Sequence, residues 1–374
     1  MIKSLFKDYI YPIAVFAGGM VGVGFLSLPY ITSKIGLWPM IFYFVILTAL
    51  VVSLNLIFCQ ISLKTPDYKR FPGFVGHYLG KWPKLLAFVA VILGTFGVLL
   101  AYLIVASQFL SAALGPLLGW NSLIYIFIYF VIASAIIYFD IKIVARVEFW
   151  ILSLLFLSII LIFVEGLSQI KISNLFTVDS SVGLTGLFLP YGPLLFALWG
   201  IGLIPETEEM LLGRKKNLKK VITIATIIIS GFYLFFTIVV LSITGGQTET
   251  TALTGLRNFL GDGVLFVALL FGVLATFTAF ITQGMIFKKT LMFDLKIKHW
   301  QAFVITCFTP TILFLLGLKS FIPVLSFVGG VLLGVDGILI LLMYKKVGGK
   351  NIIIYPLSLV FLLGLIYEII YFIK

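Results

Sequence analysis

The chain reads as an all-α integral membrane protein of eleven transmembrane helices, folded as an inverted repeat of five plus five with its first and sixth helices discontinuous. Three observations predict this. Apolar residues fill 61% of the 374 positions and charged residues only 11%, with a mean hydropathy of +1.21, a balance no water-soluble globular domain approaches. Charge-free runs are long enough to cross a bilayer: 25 residues from Tyr9 to Ser33, 28 from Val221 to Thr248, and 55 from Leu85 to Phe139, room for two spans and a turn. Glycine interrupts the first and the sixth apolar stretches at their centres.

Taken in order, span 1 covers about 9–33 and reads AVFAGGMVGVGFLSLPY from Ala14 to Tyr30. Spans 2 and 3 follow at about 38–63 and 84–114, separated by FPGFVGHYLGKWPK, whose aromatic and basic mixture suits a short helix at the membrane interface. Spans 4 and 5 fall near 120–140 and 147–166. Span 6, near 187–211, contains LPYGPLLFALWGIGLIPE from Leu189 to Glu206. Spans 7 to 10 lie near 219–244, 262–288, 300–317 and 321–344, and span 11 near 351–372. The segment Thr251 to Gly263 is expected to form a short helix over the outer vestibule. The second broken stretch comes five spans after the first, an odd step, so the second set enters from the opposite side. The chain is therefore one transmembrane domain over 1–374, with repeat one about 9–166, repeat two about 187–344 and an extra helix at 351–372.

The formal charge of +12 would suggest a nucleic-acid partner in a soluble protein, but here the bases sort by side. With the N-terminus inside, 21 of the 26 lysines and arginines fall in inner segments: Lys3 and Lys7, 64–84, Lys142 with Arg146, 214–220, 288–298 and 345–350. Only Lys34, Lys171, Arg257, Lys319 and Lys374 fall outside. That asymmetry predicts a multi-pass protein of the cell membrane with a cytoplasmic N-terminus and an extracytoplasmic C-terminus, bound to the bilayer and not to nucleic acid. The first apolar run is too long for a signal peptide and has no small-residue cleavage site. Cys59 and Cys307 both lie within spans, which argues for neither a disulfide framework nor a metal site.

Glycine pairs at mid-depth gain a lipid-embedded helix nothing unless the chain unwinds there to line a cavity. Gly18, Gly19, Gly22 and Gly24 in span 1, with Gly200 and Gly202 in span 6, are the candidate backbone of such a site. Unwound turns leave amides and carbonyls for a ligand's carboxylate and ammonium, and an amino acid zwitterion matches both. The alternative is close helix packing, since Gly18 and Gly22 are four apart. Tyr102, Phe196 and Trp199 are candidates for the side-chain pocket, although rings in a chain that is 16% aromatic also simply pack. Thr276 and Thr278 of span 8 could complete a cation site, or bond their own helix. An acid buried in a membrane costs about 2.5–3.5 kcal/mol, so Glu206 and Asp336 are candidates for proton coupling or for an inner gate. Glu165 and Glu368 are expected to be solvated at outer helix ends, and His77 and His299 to be bystanders at the inner edge.

The segment GGMVGVGFLSLPYITSKIGLWP, Gly18 to Pro39, resembles the first-helix signature of the amino acid/auxin permease family, the amino acid transporter transmembrane family of the amino acid, polyamine and organocation superfamily. The resemblance continues through FPGFVGHYLGKW, AYLIVASQFL, FALWGIGLIPE and TQGMIFKKTLMFDLKI. It implies the leucine-transporter-type fold and secondary active transport of amino acids by alternating access, with span 1 and span 6 backbone holding the substrate. Gly18 stands where sodium-coupled animal members tend to carry asparagine, and span 5 lacks the lysine of some proton-coupled relatives.

The expected function is thus a permease for a neutral or bulky apolar amino acid, a symporter with H+ or Na+ as its coupling ion and no other cofactor. The alternatives are a non-transporting membrane sensor or partner subunit of the same fold, and a twelve-span facilitator with unbroken helices. An enzyme is disfavoured, because no acid cluster, His/Cys ligand set or nucleophile with a base is present.

Overall fold

A computed structural model describes residues 6–65, 69–139, 144–176, 184–211 and 214–373; Lys3, Lys142 and Lys374 of the charge pattern lie outside them. Every regular element among the described residues is helical, as lipid demands of a backbone whose polar groups must be satisfied within each segment. Seven segments are long and apolar enough to cross a membrane, a bent pair makes an eighth, and three shorter apolar helices accompany them.

The bent pair comes first: α1 (Tyr11–Met20) and α2 (Leu28–Ile35) are inclined by 56° across an intervening break. Gly36, at φ 91°, turns the chain into α3 (Leu37–Lys64), using a left-handed conformation that costs glycine little. The expected interface helix is α4 (Phe71–Leu79), followed by α5 (Lys81–Leu118), the 38-residue helix of the first half. α6 (Ser122–Tyr138) opens on a cap in which Asn121 accepts the Leu123 N–H at 3.1 Å. α7 (Val144–Gly166) closes the first half.

In the second half, α8 (Tyr191–Leu198) and α9 (Ile204–Met210) share one span, and α10 (Leu218–Thr244) follows. A helical turn at Ala252–Gly255, continued as a 3-10 turn, occupies the segment expected to cover the vestibule. α11 (Asp262–Asp294) and α12 (His299–Leu315) come next. α13 (Phe321–Ser326) and α14 (Leu333–Lys346) are joined by a π-helical turn at Phe327–Leu332, and α15 (Asn351–Ile373) ends the chain. α11 packs against α5 and α7, α10 against α1, α2 and α3, and α14 against α3 and α15.

Contacts between loops gather the two ends separately. At one end Arg214 pairs with Asp8, Tyr9 donates to Asn217 at 3.0 Å, Lys64 donates to the Val347 carbonyl at 3.0 Å, and Arg70 donates to Thr290. These are the basic segments of the charge pattern. At the other end the Lys171 amide and the Asn174 side chain bond the Ser242 carbonyl, at 3.0 and 2.9 Å.

Three expectations are corrected. Glu368 is buried, not solvated, because α15 presses it into a notch between other helices. Glu165 accepts the Gly261 N–H at 2.8 Å, which ties α7 to the start of α11. His299 lies 3.3 Å from Nζ of Lys288, a fully buried lysine that donates to the Ile137 carbonyl at 2.5 Å and to Tyr138 at 3.3 Å. Those carbonyls end α6, where the helix dipole favours a cation.

Candidate functional site

Both glycine-rich stretches lose α-helical winding, at Gly22 and Gly24 in span 1 and at Gly200 and Gly202 in span 6, whereas Gly18 and Gly19 stay within the last turn of α1. α1 stops at Met20; Val21 is extended at φ −74°, ψ 102°, its N–H bonded to the Gly18 carbonyl at 3.1 Å, and a 3-10 turn over Gly24–Ser27 leads into α2. α8 stops at Leu198; Trp199 is extended at φ −71°, ψ 120°, and a 3-10 turn over Ile201–Leu203 leads into α9. Pro29 and Pro205 each sit in the first turn of the resuming helix, where a missing N–H costs no bond.

The two breaks lie against each other. A Cβ at Gly24 would fall 2.7 Å from Phe196 Cδ1 and 3.2 Å from the Ala197 backbone, and one at Gly19 would fall 2.9 Å from Leu203. The absence of side chains is what lets the backbones approach so closely.

A cavity of about 300 Å³ opens beside them. Gly19, Gly22 and Gly24 border it from span 1, and Phe196, Trp199 and Gly202 from span 6; Tyr102 of α5 and Asp336 of α14 complete the predicted residues found there. Asp336 is 6% exposed, and its Oδ1 has no hydrogen-bond partner among the described residues. The carbonyl end of α1 at Met20 and the start of the 3-10 turn at Gly24 both border this wall, so opposite partial charges stand a few residues apart.

The remaining predicted residues stand elsewhere. Gly18 spends its carbonyl on Val21, and Gly200 is a packing position whose Cβ would lie 2.9 Å from Phe16. Thr276 bonds the Val273 carbonyl and Thr278 those of Leu274 and Ala275, each turning its hydroxyl onto its own helix. Thr276 also lines a separate void of about 30 Å³ beyond Tyr102. Glu206 is exposed on α9 and does not border the cavity. The acid that braces this region is Glu208, 3% exposed, which accepts Ser62 Oγ of α3 at 2.5 Å and Lys215 Nζ at 2.7 Å. Three acids within PETEEM signalled an acidic cluster, but only packing distinguishes them.

Access is one-sided. The cavity runs to Phe71 of α4 and to Ala90 and Val91 of α5, toward the end that gathers the basic loops. Toward the other end, Phe25 stacks on Tyr233 at 5.2 Å and meets Phe236 edge-on at 4.9 Å. The Tyr233 hydroxyl donates to the Met20 carbonyl at 3.1 Å, satisfying a group freed by the break. All three rings are fully buried. No sequence signal marks this tyrosine, which sits in an unbroken apolar helix.

Comparison with known proteins supplies the family. The model of the tryptophan/tyrosine permease family matches residues 7–353. The chain belongs to that family. The motifs resemble amino acid/auxin permeases; the family shown is that of the tryptophan/tyrosine permeases. Among solved structures the permease is similar to MhsT in complex with L-phenylalanine, at 14% identity and a TM-score of 0.66, covering 97% of each chain. It is similar also to Mhp1, a nucleobase-cation-symport-1 family transporter, closed with bromovinylhydantoin bound, at 13% identity and a TM-score of 0.65, covering 96% of this chain and 90% of that one. The inward-facing form of Mhp1 matches at 14% identity and a TM-score of 0.66, with 96% and 88% covered. No curated protein matches. The chain is thus a multi-pass membrane permease with the fold of these leucine-transporter-type proteins, a secondary transporter and not an enzyme.

Proposed function

We propose that the permease carries an aromatic amino acid into the cell by alternating access, driven by an H+ or Na+ gradient, and that its substrate lies at the two breaks. The observation that carries this reading is the cavity bordered at once by unwound backbone, Met20 to Gly24, and by Tyr102, Phe196 and Trp199. Backbone dipoles suit the α-amino and α-carboxylate groups, and the rings suit a large flat side chain. A volume of about 300 Å³ is at the lower end of small-molecule sites. The family's description and the phenylalanine in the MhsT complex favour the same substrate class.

The architecture in this proposal is eleven spans, with repeats at about 9–166 and 187–344 and an eleventh helix outside them. Packing supports the exchange of each span with the one five later. Span 8 (α11) rests on span 5 (α7) as span 3 (α5) rests on span 10 (α13 and α14); span 4 (α6) touches span 8 as span 9 (α12) touches span 3. With the basic loops cytoplasmic, the state described here is open inward and closed outward by Phe25 and Tyr233. Asp336 is the candidate for coupling or for the ammonium group; Thr276, Thr278 and Glu206 are weaker ones, because none borders the cavity.

Uptake of labelled L-tryptophan into proteoliposomes, with L-tyrosine, L-phenylalanine, L-lysine and L-aspartate as competitors and imposed H+ or Na+ gradients, tests the proposal. Gradient-driven uptake displaced by the aromatic set alone is expected. Binding without flux would point to a sensor, and no binding of any aromatic amino acid would refute it.

A further inference from the structure

α15 is a helix that lipid should own. Ile352, Leu359, Leu363 and Ile366 are all more than half exposed, as fits an apolar helix outside the repeats. Yet Glu368 on the same helix is 1% exposed. Glycines make room for it. A Cβ at Gly192 of α8 would fall 2.6 Å from Glu368 Oε1, and one at Gly330, in the π turn between α13 and α14, would fall 2.7 Å from the same oxygen.

The notch contains little that could balance a charge. Neither carboxyl oxygen has a hydrogen-bond partner among the described residues; the Gly192 N–H leans on the carboxyl without reaching hydrogen-bond geometry. The Ser326 carbonyl lies on the same side, 2.8 Å from the Gly192 Cβ position. The titratable groups that face the carboxyl are phenols: Tyr191 from α8, and Tyr367 and Tyr371 from α15 itself, with Tyr43 of α3 beside Tyr191 and Tyr367. Tyr191 packs its ring on Gly364, one turn before Glu368, and its hydroxyl also has no partner. No lysine or arginine among the described residues approaches. An ionised carboxylate without a cation is expensive in such a place, whereas a protonated one can donate to a carbonyl or phenol.

We propose that Glu368 is the proton-binding site through which this permease couples amino acid entry to the proton gradient. The proposal rests on the transport reading above and selects H+ as the coupling ion. Its basis is position as well as burial. The notch is closed by the first half of the broken span 6, the π turn and α15, and Gly329 abuts the Gly192 carbonyl and the base of Phe196. Phe196 and Val328 border the substrate cavity. The carboxyl and the cavity therefore share one wall, built from the seam between α8 and the π turn. Opening that seam outward gives the carboxyl access to external water, five residues from the end of α15, where a proton passes from water to a carboxylate oxygen. Closing it carries the neutral acid into the notch. The proton leaves across the shared wall to cavity water, where Asp336 is the next carboxylate.

The test uses the full chain in proteoliposomes, with labelled L-tryptophan as probe. Wild type under a one-unit inward proton gradient should accumulate substrate, up to about tenfold for one proton per substrate, and should exchange substrate in counterflow. Glu368→Gln should keep counterflow and lose accumulation, settling at a ratio near one; Glu368→Asp should recover part of the accumulation. Equal accumulation by Glu368→Gln and wild type, or accumulation driven by sodium alone, overturns the proposal. Failure of wild-type counterflow would overturn the transport reading instead. If Glu368→Gln does not fold, Tyr191→Phe decides: it should move the pH midpoint of uptake while counterflow persists, and an unmoved midpoint counts against the site.

Discussion

Tyr233→Phe isolates the bond that closes the outer side of the site. The substitution keeps the ring, and so the 5.2 Å stack on Phe25, but removes the hydroxyl that donates to the Met20 carbonyl at 3.1 Å. That carbonyl ends α1 and is left without this donor in a dry environment, a loss of about 1–3 kcal/mol. If the bond exists only while the outer side is shut, the same energy shifts the balance toward the outward-open state by about 5- to 150-fold. The assay is thiol labelling. Ala275 lines the small void beyond the gate, next to Phe25 and Leu253, and Ala275→Cys places a reporter there. Native Cys59 and Cys307 are fully buried and give little background. A membrane-impermeant maleimide added from outside should label the Tyr233→Phe, Ala275→Cys protein faster than Ala275→Cys alone, by a factor in that range. Equal rates would refute the assignment of Tyr233 as the outer latch.

Two further perturbations probe the frame of the site. Gly24→Ala introduces a methyl 2.7 Å from Phe196 and 3.2 Å from the Ala197 backbone, an overpacking that costs about 1–3 kcal/mol; thermal unfolding in detergent should shift downward and uptake should fall. Gly202→Ala is the control, because nothing lies within 4 Å of the added carbon, and it should unfold as wild type does. Glu208→Ala removes the acceptor for Ser62 and Lys215, and unfolding measurements should register a loss of about 2 kcal/mol, in line with hydrogen bonds to a charged group. Glu206→Ala, at an exposed position on the same helix, should leave stability unchanged.

The frame was legible because its causes are local. Long uncharged runs can only be helices in lipid, and Gly22, Gly24, Gly200 and Gly202 fall where winding is lost, while Gly18 and Gly19 remain in the last turn before the break. What glycine does at each position was not legible. Gly22 and Gly202 face the cavity, whereas Gly200 admits the Phe16 ring, a distinction made by a partner nearly 200 residues away in sequence. Tyr233 escaped notice because its only distinguishing act is a bond to a distant carbonyl. Glu206 stood nearest the break in sequence, but helical rotation points it outward and turns Glu208 in. Glu368 looked like an end residue; only the notch glycines at Gly192 and Gly330, on two other helices, bury it.

The central claim is that backbone freed between Met20 and Gly24 and around Trp199 grips an amino acid inside the membrane. An experimental structure of the permease with L-tryptophan bound tests it most directly. The account predicts the indole beside Tyr102, Phe196 and Trp199, with the α-amino and α-carboxylate groups within hydrogen-bond distance of the unwound backbone. Unbroken helices through Met20 and Leu198, or a ligand seated away from this cavity, would contradict it.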